Sequence, residues 1–324
     1  MPEFDLIARL RARIAARADV PLGIGDDAAL LQPSDGEQLA ITADTLNVGV
    51  HFPQETPAED LGWKVLAVNL SDLAAMGAQP RWCTLSLSLP QDDAGWVDAF
   101  ADGFFALADA HDIALVGGDT TRGPLSCALT AIGSVPPGLA LRRDGARPGD
   151  DVWVTGTPGE AAAALALWQA GRLDVSRPAT LPLLEHWRAR LLRPQPRVAA
   201  GLRLRGIAHA CVDISDGVLA DLGHLCERSG VGAALSLQAL PPMAHGELAS
   251  PQQVRDWQLG GGDDYELCFT APATQRQAVL QALQGTEVAA TRIGRIVAAP
   301  GVVVLDAAGS PWQPAQRGYQ HFVG

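Results

Sequence analysis

The chain is poor in several things, and each shortage closes off a class of function. Lys64 is the only lysine beside 23 arginines, and the 24 bases are outnumbered by 36 acids, for a formal net charge of -12. Such a balance repels a phosphate backbone and argues against a nucleic-acid partner. The high Arg and Ala content reads as drift toward GC-rich codons and carries no functional meaning. Five cysteines, Cys83, Cys127, Cys211, Cys226 and Cys268, form an odd set without a CxxC pair and lie mostly in apolar runs. They read as buried thiols in a reducing compartment. No uninterrupted apolar run reaches the roughly 18 residues of a membrane span, and the Arg-rich amphipathic start (Phe4, Ile7, Leu10, Ile14) lacks a secretory core and cleavage site. A cytoplasmic protein with no membrane partner is expected. Also missing are a Walker GxxxxGK[ST] string, a GxGxxG after the first strand, the HRD and DFG kinase pair, a 12-residue EF-hand loop, any fixed-period repeat and any low-complexity tract.

What is present is a long, apolar chain. Its 324 residues exceed the roughly 250–300 at which a single core stops growing, so two domains are expected, and 48% hydrophobic against 19% charged residues suffices for sizeable cores. The run PPGLALRRDGARPGD marks a boundary, giving an N-terminal domain over 1–137 and a C-terminal domain over 138–324. In the first half the patterning predicts strands at 28–31, 39–42 and 47–52, a helix over 57–77, a strand at 84–89, a helix over 92–111, and strands at 113–116 and 125–135 joined by a GGDTTRG loop. Thr56 reads as the N-cap of the 57–77 helix, with Pro57 at its first position and Glu59 closing a capping box. The second half predicts a strand at 151–155, a TPGE turn, an Ala-rich helix to 170 and further helices through 205. Strands at 208–214, 231–237 and 265–270 and helices over 216–228 and 274–283 complete it. The fold class is mixed α+β, each domain a sheet with packed helices.

Asp is far commoner than Glu, 26 against 10, and many Asp adjoin Gly or another Asp. Short carboxylates on tight turns suit hard cations such as Mg2+ or Ca2+, although for any single Asp a turn role is the simpler reading. On the 57–77 helix, Asp72 falls on the apolar stripe of Leu61, Val65, Val68 and Ala75, with Asn69 one turn before it. A carboxylate there must be paired or metal-bound, and a salt bridge or loop cap is an equal alternative. Four further clusters sit at strand ends or Gly turns: GIGDDAAL with Asp27, TADTLN with Asp44, GGDTTRG with Asp119, and DISDG with Asp213 and Asp216. This is more carboxylate than one metal needs, and suits several Mg2+ ions bridging phosphates. Gly117, Gly118 and the TGTPGE turn offer backbone N–H groups to an anion.

The strings GIGDDAALL, TADTLNVGVHF, WKVLAVNLSDLAAMGAQP, GGDTTRGPLS, VTGTPGEAA, DISDGVLADLGHL, GGGDDYELCFT and GYQHF, in this order across nearly the whole chain, resemble the thiamine-monophosphate kinase family of the aminoimidazole ribonucleotide synthetase superfamily. The resemblance implies a two-domain fold of that superfamily. It also implies ATP-dependent, in-line phosphorylation of thiamine monophosphate to thiamine diphosphate, the last step of its biosynthesis, with several Mg2+ ions and a homodimer formed through the N-terminal sheets. By the same resemblance Asp27, Thr42, Ala43, Asp44, Asp72, Asp119, Asp213 and Asp216 hold Mg2+, with Asp72, Asp119 and Asp216 central to catalysis. Gly118, Asp119, Arg143 and Ser215 contact ATP, while His51, Asp263 and Tyr319 contact the substrate. Ala43 stands where relatives often carry Thr or Ser and would lend only its carbonyl; Asp263 stands where the family commonly has Glu. The alternatives are another ATP-using member of the superfamily and a non-catalytic, Ca2+-stabilised binding protein.

Overall fold

The computed structural model describes residues 3–286, 288–316, 318 and 319, and it separates into two compact units. One is built on the residues up to Leu73, Ala78–Gly138 and Val175–Arg177; the other on Ala74–Gly77, Leu139–Asp174 and the residues from Pro178 onward. No described helix is long and apolar enough to cross a membrane.

The N-terminal unit runs α1 (Glu3–Arg11), β1 (Gln38–Asn47), α2 (Ala58–Ala75), β2 (Gln79–Leu89), α3 (Ala94–Ala110), β3 (Ala114–Arg122) and β4 (Ser126–Val135). Its four-stranded sheet has the order β1-β4-β2-β3, with β2 and β3 parallel and the other pairs antiparallel. Asp93 caps α3 by accepting the Trp96 N–H at 3.0 Å, and Trp96, Phe100 and Phe104 then stack along one helix face, as their spacing of four requires. The helices α2 and α3 cross at two glycines. A Cβ on Gly62 would stand 2.0 Å from the Phe100 carbonyl oxygen, and one on Gly103 1.8 Å from that of Glu59. Arg9 holds α1 to α3 by an ion pair to Asp98 at 2.6 Å, and Arg13, just past the end of α1, pairs with Asp102 on α3.

Several expectations need correction here. Residues 28–31 form no strand, only a single bridge between Leu22 and Leu30. The strand expected at 39–42 runs on unbroken to Asn47, and 47–52 is a turn pinned by a Val48–Phe52 bridge. The GGDTTR segment belongs to β3 rather than a loop, and Gly118 (φ +149°) is needed there because a Cβ would fall 1.8 Å from the Leu85 carbonyl oxygen on β2. Thr56 does not cap α2: its Oγ1 is buried with no hydrogen-bond partner among the described residues, while the Pro57 carbonyl accepts from Leu61 at 3.0 Å.

The C-terminal unit continues with β5 (Asp150–Thr155), α4 (Glu160–Gln169), α5 (Pro182–Leu192), α6 (Val198–Leu204), β6 (Ala210–Ile214), α7 (Val218–Ser229), β7 (Gly232–Ser236), α8 (Pro251–Gly260), β8 (Glu266–Pro272), α9 (Arg276–Leu283), β9 (Ala290–Val297), β10 (Gly301–Leu305) and β11 (Pro311–Trp312). The strands form a seven-stranded sheet of order β11-β10-β7-β9-β5-β8-β6, parallel only between β7 and β10. Its interior strand β5, between β9 and β8, is buried along its full length, which is why DDVWVT reads as a nearly continuous apolar run after its two acids. Asp151 at its start is held by Arg276 at 2.5 Å and Arg292 at 3.3 Å. Helix α7 packs on the sheet through Val218, Leu219, Leu222, Leu225 and Cys226, and ends at Gly230 in the left-handed conformation.

All five cysteines are buried and unbridged, as the sequence led us to expect. Burial lifts every one of these thiols, Cys127 to about 12 and Cys226 to about 11, so thiolate is absent at neutral pH.

Candidate active site

Strand β1 alternates faces, so Thr42 and Asp44 project from one face while Ala43 projects from the other. Asp72, on α2, meets the first pair: the Thr42 hydroxyl donates to its Oδ2 at 2.5 Å. Burial and the adjoining Asp72 carboxylate raise the Asp44 pKa to about 6, so the two carboxyls share a proton at mildly acidic pH. A proton is the smallest cation that can relieve two half-buried, adjacent carboxylates, and a hard divalent ion with oxygen ligands fits the same place. The donor set therefore suits Mg2+. Among the described residues no three His, Cys, Asp or Glu side chains gather into a ready-made cage, so Asp119 does not join Asp44 and Asp72 in a closed triad. Mg2+ commonly keeps waters and takes phosphate oxygens beside one or two carboxylates, so two suffice for such an ion.

A cavity of about 890 Å3 opens in the same unit, and Asp27, Gly118 and Asp119 line it together. Asp27 sits on a Gly turn where its own N–H donates to Asp26 Oδ1 at 2.9 Å, and Asp119 Oδ1 accepts from Thr120 N–H at 2.9 Å. Arg11, which sequence reasoning passed over, lines the cavity from α1. His51 stands in the turn after β1. Its Nδ1 accepts the Asn47 N–H at 3.0 Å, which assigns the ring proton of the neutral form to Nε2.

In the C-terminal unit the other candidates converge by backbone hydrogen bonds. Asp213 is buried near the end of β6, followed by Ser215 and Asp216 in the turn before α7. Asp263 N–H donates to the Ser215 carbonyl at 2.8 Å, Tyr265 N–H to the Ile214 carbonyl at 2.8 Å, and Tyr319 N–H to the Asp216 carbonyl at 3.1 Å. Ser215, Asp216, Asp263 and Tyr319 are thus one cluster, with half the Tyr319 ring exposed. Arg143 is exposed in the segment before β5, and its carbonyl accepts from the Ser229 hydroxyl at 2.7 Å.

Two acids of this cluster went unnoticed in the sequence. Asp221 Oδ2 accepts the N–H groups of Ser215, Asp216 and Gly217 at 3.0–3.1 Å and so shapes the DISDG turn. Burial raises its pKa to about 7; those three N–H donors pull it down while the Asp216 charge pushes it up. Its signal was an acid in the first turn of the helix, a position that favours capping. Asp264 is fully buried and accepts from Gly159 N–H at 2.7 Å and Ala161 N–H at 3.5 Å, fastening the TPGE turn at the start of α4. Desolvation lifts its pKa well above the carboxylate range, against the pull of Arg190 and the Gly159 N–H.

Residues 25–135 match the family described as AIR synthase related protein, N-terminal domain, and residues 147–306 match AIR synthase related protein, C-terminal domain. The thiamine-monophosphate kinase of Salmonella typhimurium is 47% identical over 325 residues, covering 99% of this chain and 98% of that protein. The crystal structure of thiamine-monophosphate kinase from Stenotrophomonas maltophilia is 61% identical, with a TM-score of 0.89 over 94% of this chain and 96% of that one. A solved complex of AaThiL with AMPPCP and TMP is 31% identical, with a TM-score of 0.77 over 99% of this chain and 97% of that one.

Proposed function

The chain belongs to the thiamine-monophosphate kinase family of AIR synthase related proteins, and from that membership we propose that it transfers the γ-phosphoryl group of ATP directly onto the phosphate of thiamine monophosphate, yielding thiamine diphosphate. The observation that carries this reading is the Asp44–Asp72 carboxylate pair with the Thr42 hydroxyl beside it. Mg2+ bound there would offset phosphate charge and favour an in-line approach. Thr42 orients Asp72; Asp27 and Asp119 lie ready for further ions at the cavity, and Asp213 and Asp216 do so in the C-terminal unit. The Ala43 side chain faces away, which leaves its carbonyl as its only contribution. Gly118 and Asp119 on β3, and Arg143 and Ser215 in the other unit, are assigned to ATP.

The acceptor needs little activation. Its phosphate has a second pKa near ~6 and is already nucleophilic at neutral pH, so no strong general base is required. His51, Asp263 and Tyr319 are assigned to the acceptor, His51 through its Nε2–H and Tyr319 through its exposed ring, which can stack on a cationic thiazolium. A coupled assay for ADP release should show rapid turnover with thiamine monophosphate and very poor turnover with thiamine, whose alcohol has a high pKa and no charge for metals to grip. Equal rates with both would sink the phosphate-to-phosphate reading. A protein that binds cations yet never releases ADP would instead be the non-catalytic alternative.

Homodimerisation belongs to the same proposal. The outward face of β1 exposes Ile41 by 65% and Leu39 by 46%, an apolar pair that a second copy of the sheet would cover. Light scattering at micromolar concentration should give twice the chain mass, and Ile41→Asp should halve it.

A further inference from the structure

The turn that carries Asp263 is held in an uncommon backbone shape. Asp263 and Tyr265 have φ of +67° and +52°, a region that side chains other than glycine enter only when their surroundings impose it. Tyr265 closes the turn on itself, its hydroxyl donating to Asp263 Oδ1 at 3.0 Å. The residue that follows, Glu266, is completely buried and takes hydrogen bonds from three side chains. Arg197 donates from Nε to Oε2 at 2.6 Å and from Nη2 to Oε1 at 2.5 Å, Arg190 from Nη2 to Oε1 at 2.7 Å, and Thr155 from its hydroxyl to Oε2 at 2.6 Å. Arg190 also donates to the Asp264 carbonyl at 3.2 Å, inside the turn itself. Gly156 completes the fit, since a Cβ there would meet Glu266 Oε1 at 2.2 Å.

We propose that Arg190 and Arg197 are positioning residues for acceptor binding: by clamping Glu266 and the Asp264 carbonyl they fix the backbone of the 263–265 turn and so the place of the Asp263 carboxylate. This rests on the assignment of Asp263 to thiamine monophosphate. The clamp holds from below what the backbone bonds to Ile214 and Ser215 hold from the side. Neither arginine is assigned to a reacting group. A bidentate fork matches a carboxylate plane where an ammonium cannot, so Arg→Lys keeps the charge and loses the geometry.

The test is a double-mutant cycle on the full chain, reading kcat, both KM values and the unfolding midpoint for the wild type, Arg197→Lys, Asp263→Ala and the pair. Arg197→Lys should raise KM for thiamine monophosphate about tenfold and leave KM for ATP within about twofold, the size of effect expected when a substrate contact is misplaced. In the Asp263→Ala background the same change should add less than about twofold, because the contact it positions is already gone. If Arg197→Lys folds poorly, Arg197→Gln leaves Glu266 paired with Arg190 at 2.7 Å and should keep the fold while KM for thiamine monophosphate stays high. Full additivity of the two changes, a parallel rise in both KM values, or an unchanged KM for thiamine monophosphate would overturn the inference alone. A wild type that neither binds nor phosphorylates thiamine monophosphate would overturn the functional reading and this inference with it.

Discussion

The two acidic centres of the molecule are built on opposite electrostatic plans. In the N-terminal unit Asp44 and Asp72 set like charges together, and burial with mutual repulsion lifts the Asp44 pKa to about 6. In the C-terminal unit burial pushes the Glu266 pKa upward as well, but the hydrogen bonds and charge of Arg197, with Arg190, outweigh it and hold the group below the ordinary Glu range. The first centre sets acid beside acid; the second sets one acid between two arginines. Like charges side by side suit the cation site proposed above, whereas opposite charges in fixed geometry suit a turn that is held in place.

The sharpest way to break this comparison is to neutralise each centre in turn. Asp72→Asn and Asp44→Asn should each lower kcat by about a thousandfold, the scale of losing one pre-organised charge at a reacting phosphate. Asp44→Asn should meanwhile raise the unfolding midpoint in chelator-treated protein, because it removes a like-charge repulsion in a half-buried pair. Near wild-type turnover of Asp72→Asn at saturating Mg2+ would make that carboxylate merely structural. At the other centre the same kind of change should act on stability. Glu266→Ala takes their common partner from buried Arg190 and half-buried Arg197 and should cost about 3–5 kcal/mol in urea unfolding, the range for breaking one side of a buried ion pair. A loss under about 1 kcal/mol would mean that water enters and replaces the carboxylate.

The smallest effect is expected at Asp151, a buried carboxylate that shares the second plan with half-exposed partners. Hydrogen bonds from Arg276 and then Arg292 outweigh burial and hold its pKa below the ordinary Asp value. A depressed carboxylate pKa gives stability that is present above the unfolded value near ~4 and lost as pH falls through the lower folded value. Asp151→Asn should therefore cost about 1 kcal/mol at pH 7, discounted for the exposure of both arginines, and the gap to wild type should close on acidification below about pH 4. A gap that stays constant with pH would assign the loss to packing.

How far the sequence discloses these plans depends on how local each one is. The α2 boundaries are close to those read from Pro57 and Gly77, and Asp72 stands out because one charge interrupts an apolar stripe. The family strings account for the remaining metal and substrate candidates. The Glu266 clamp has no such signature: Arg190 and Arg197 lie about seventy residues away, and nothing near them differs from an ordinary helix surface. The GGDTTR segment was misread because glycine usually signals a loop, whereas here the Leu85 carbonyl leaves no room for a side chain in the strand. Thr56 fits a capping motif perfectly in sequence, yet Pro57 supplies the carbonyl that opens the helix and the threonine hydroxyl turns inward.

The scarcity of lysine has a practical side once burial is known. Lys64 is only 1% exposed, and the five cysteines are enclosed with their thiols protonated. The folded protein therefore offers no side-chain amine to succinimidyl esters or glutaraldehyde and no thiol to maleimides. Cross-linking through lysine side chains would score a genuine dimer as a monomer. A cysteine introduced on the exposed face of β1, in contrast, would be the sole labelling handle, giving a fluorophore attached there a clean background against which to follow subunit exchange.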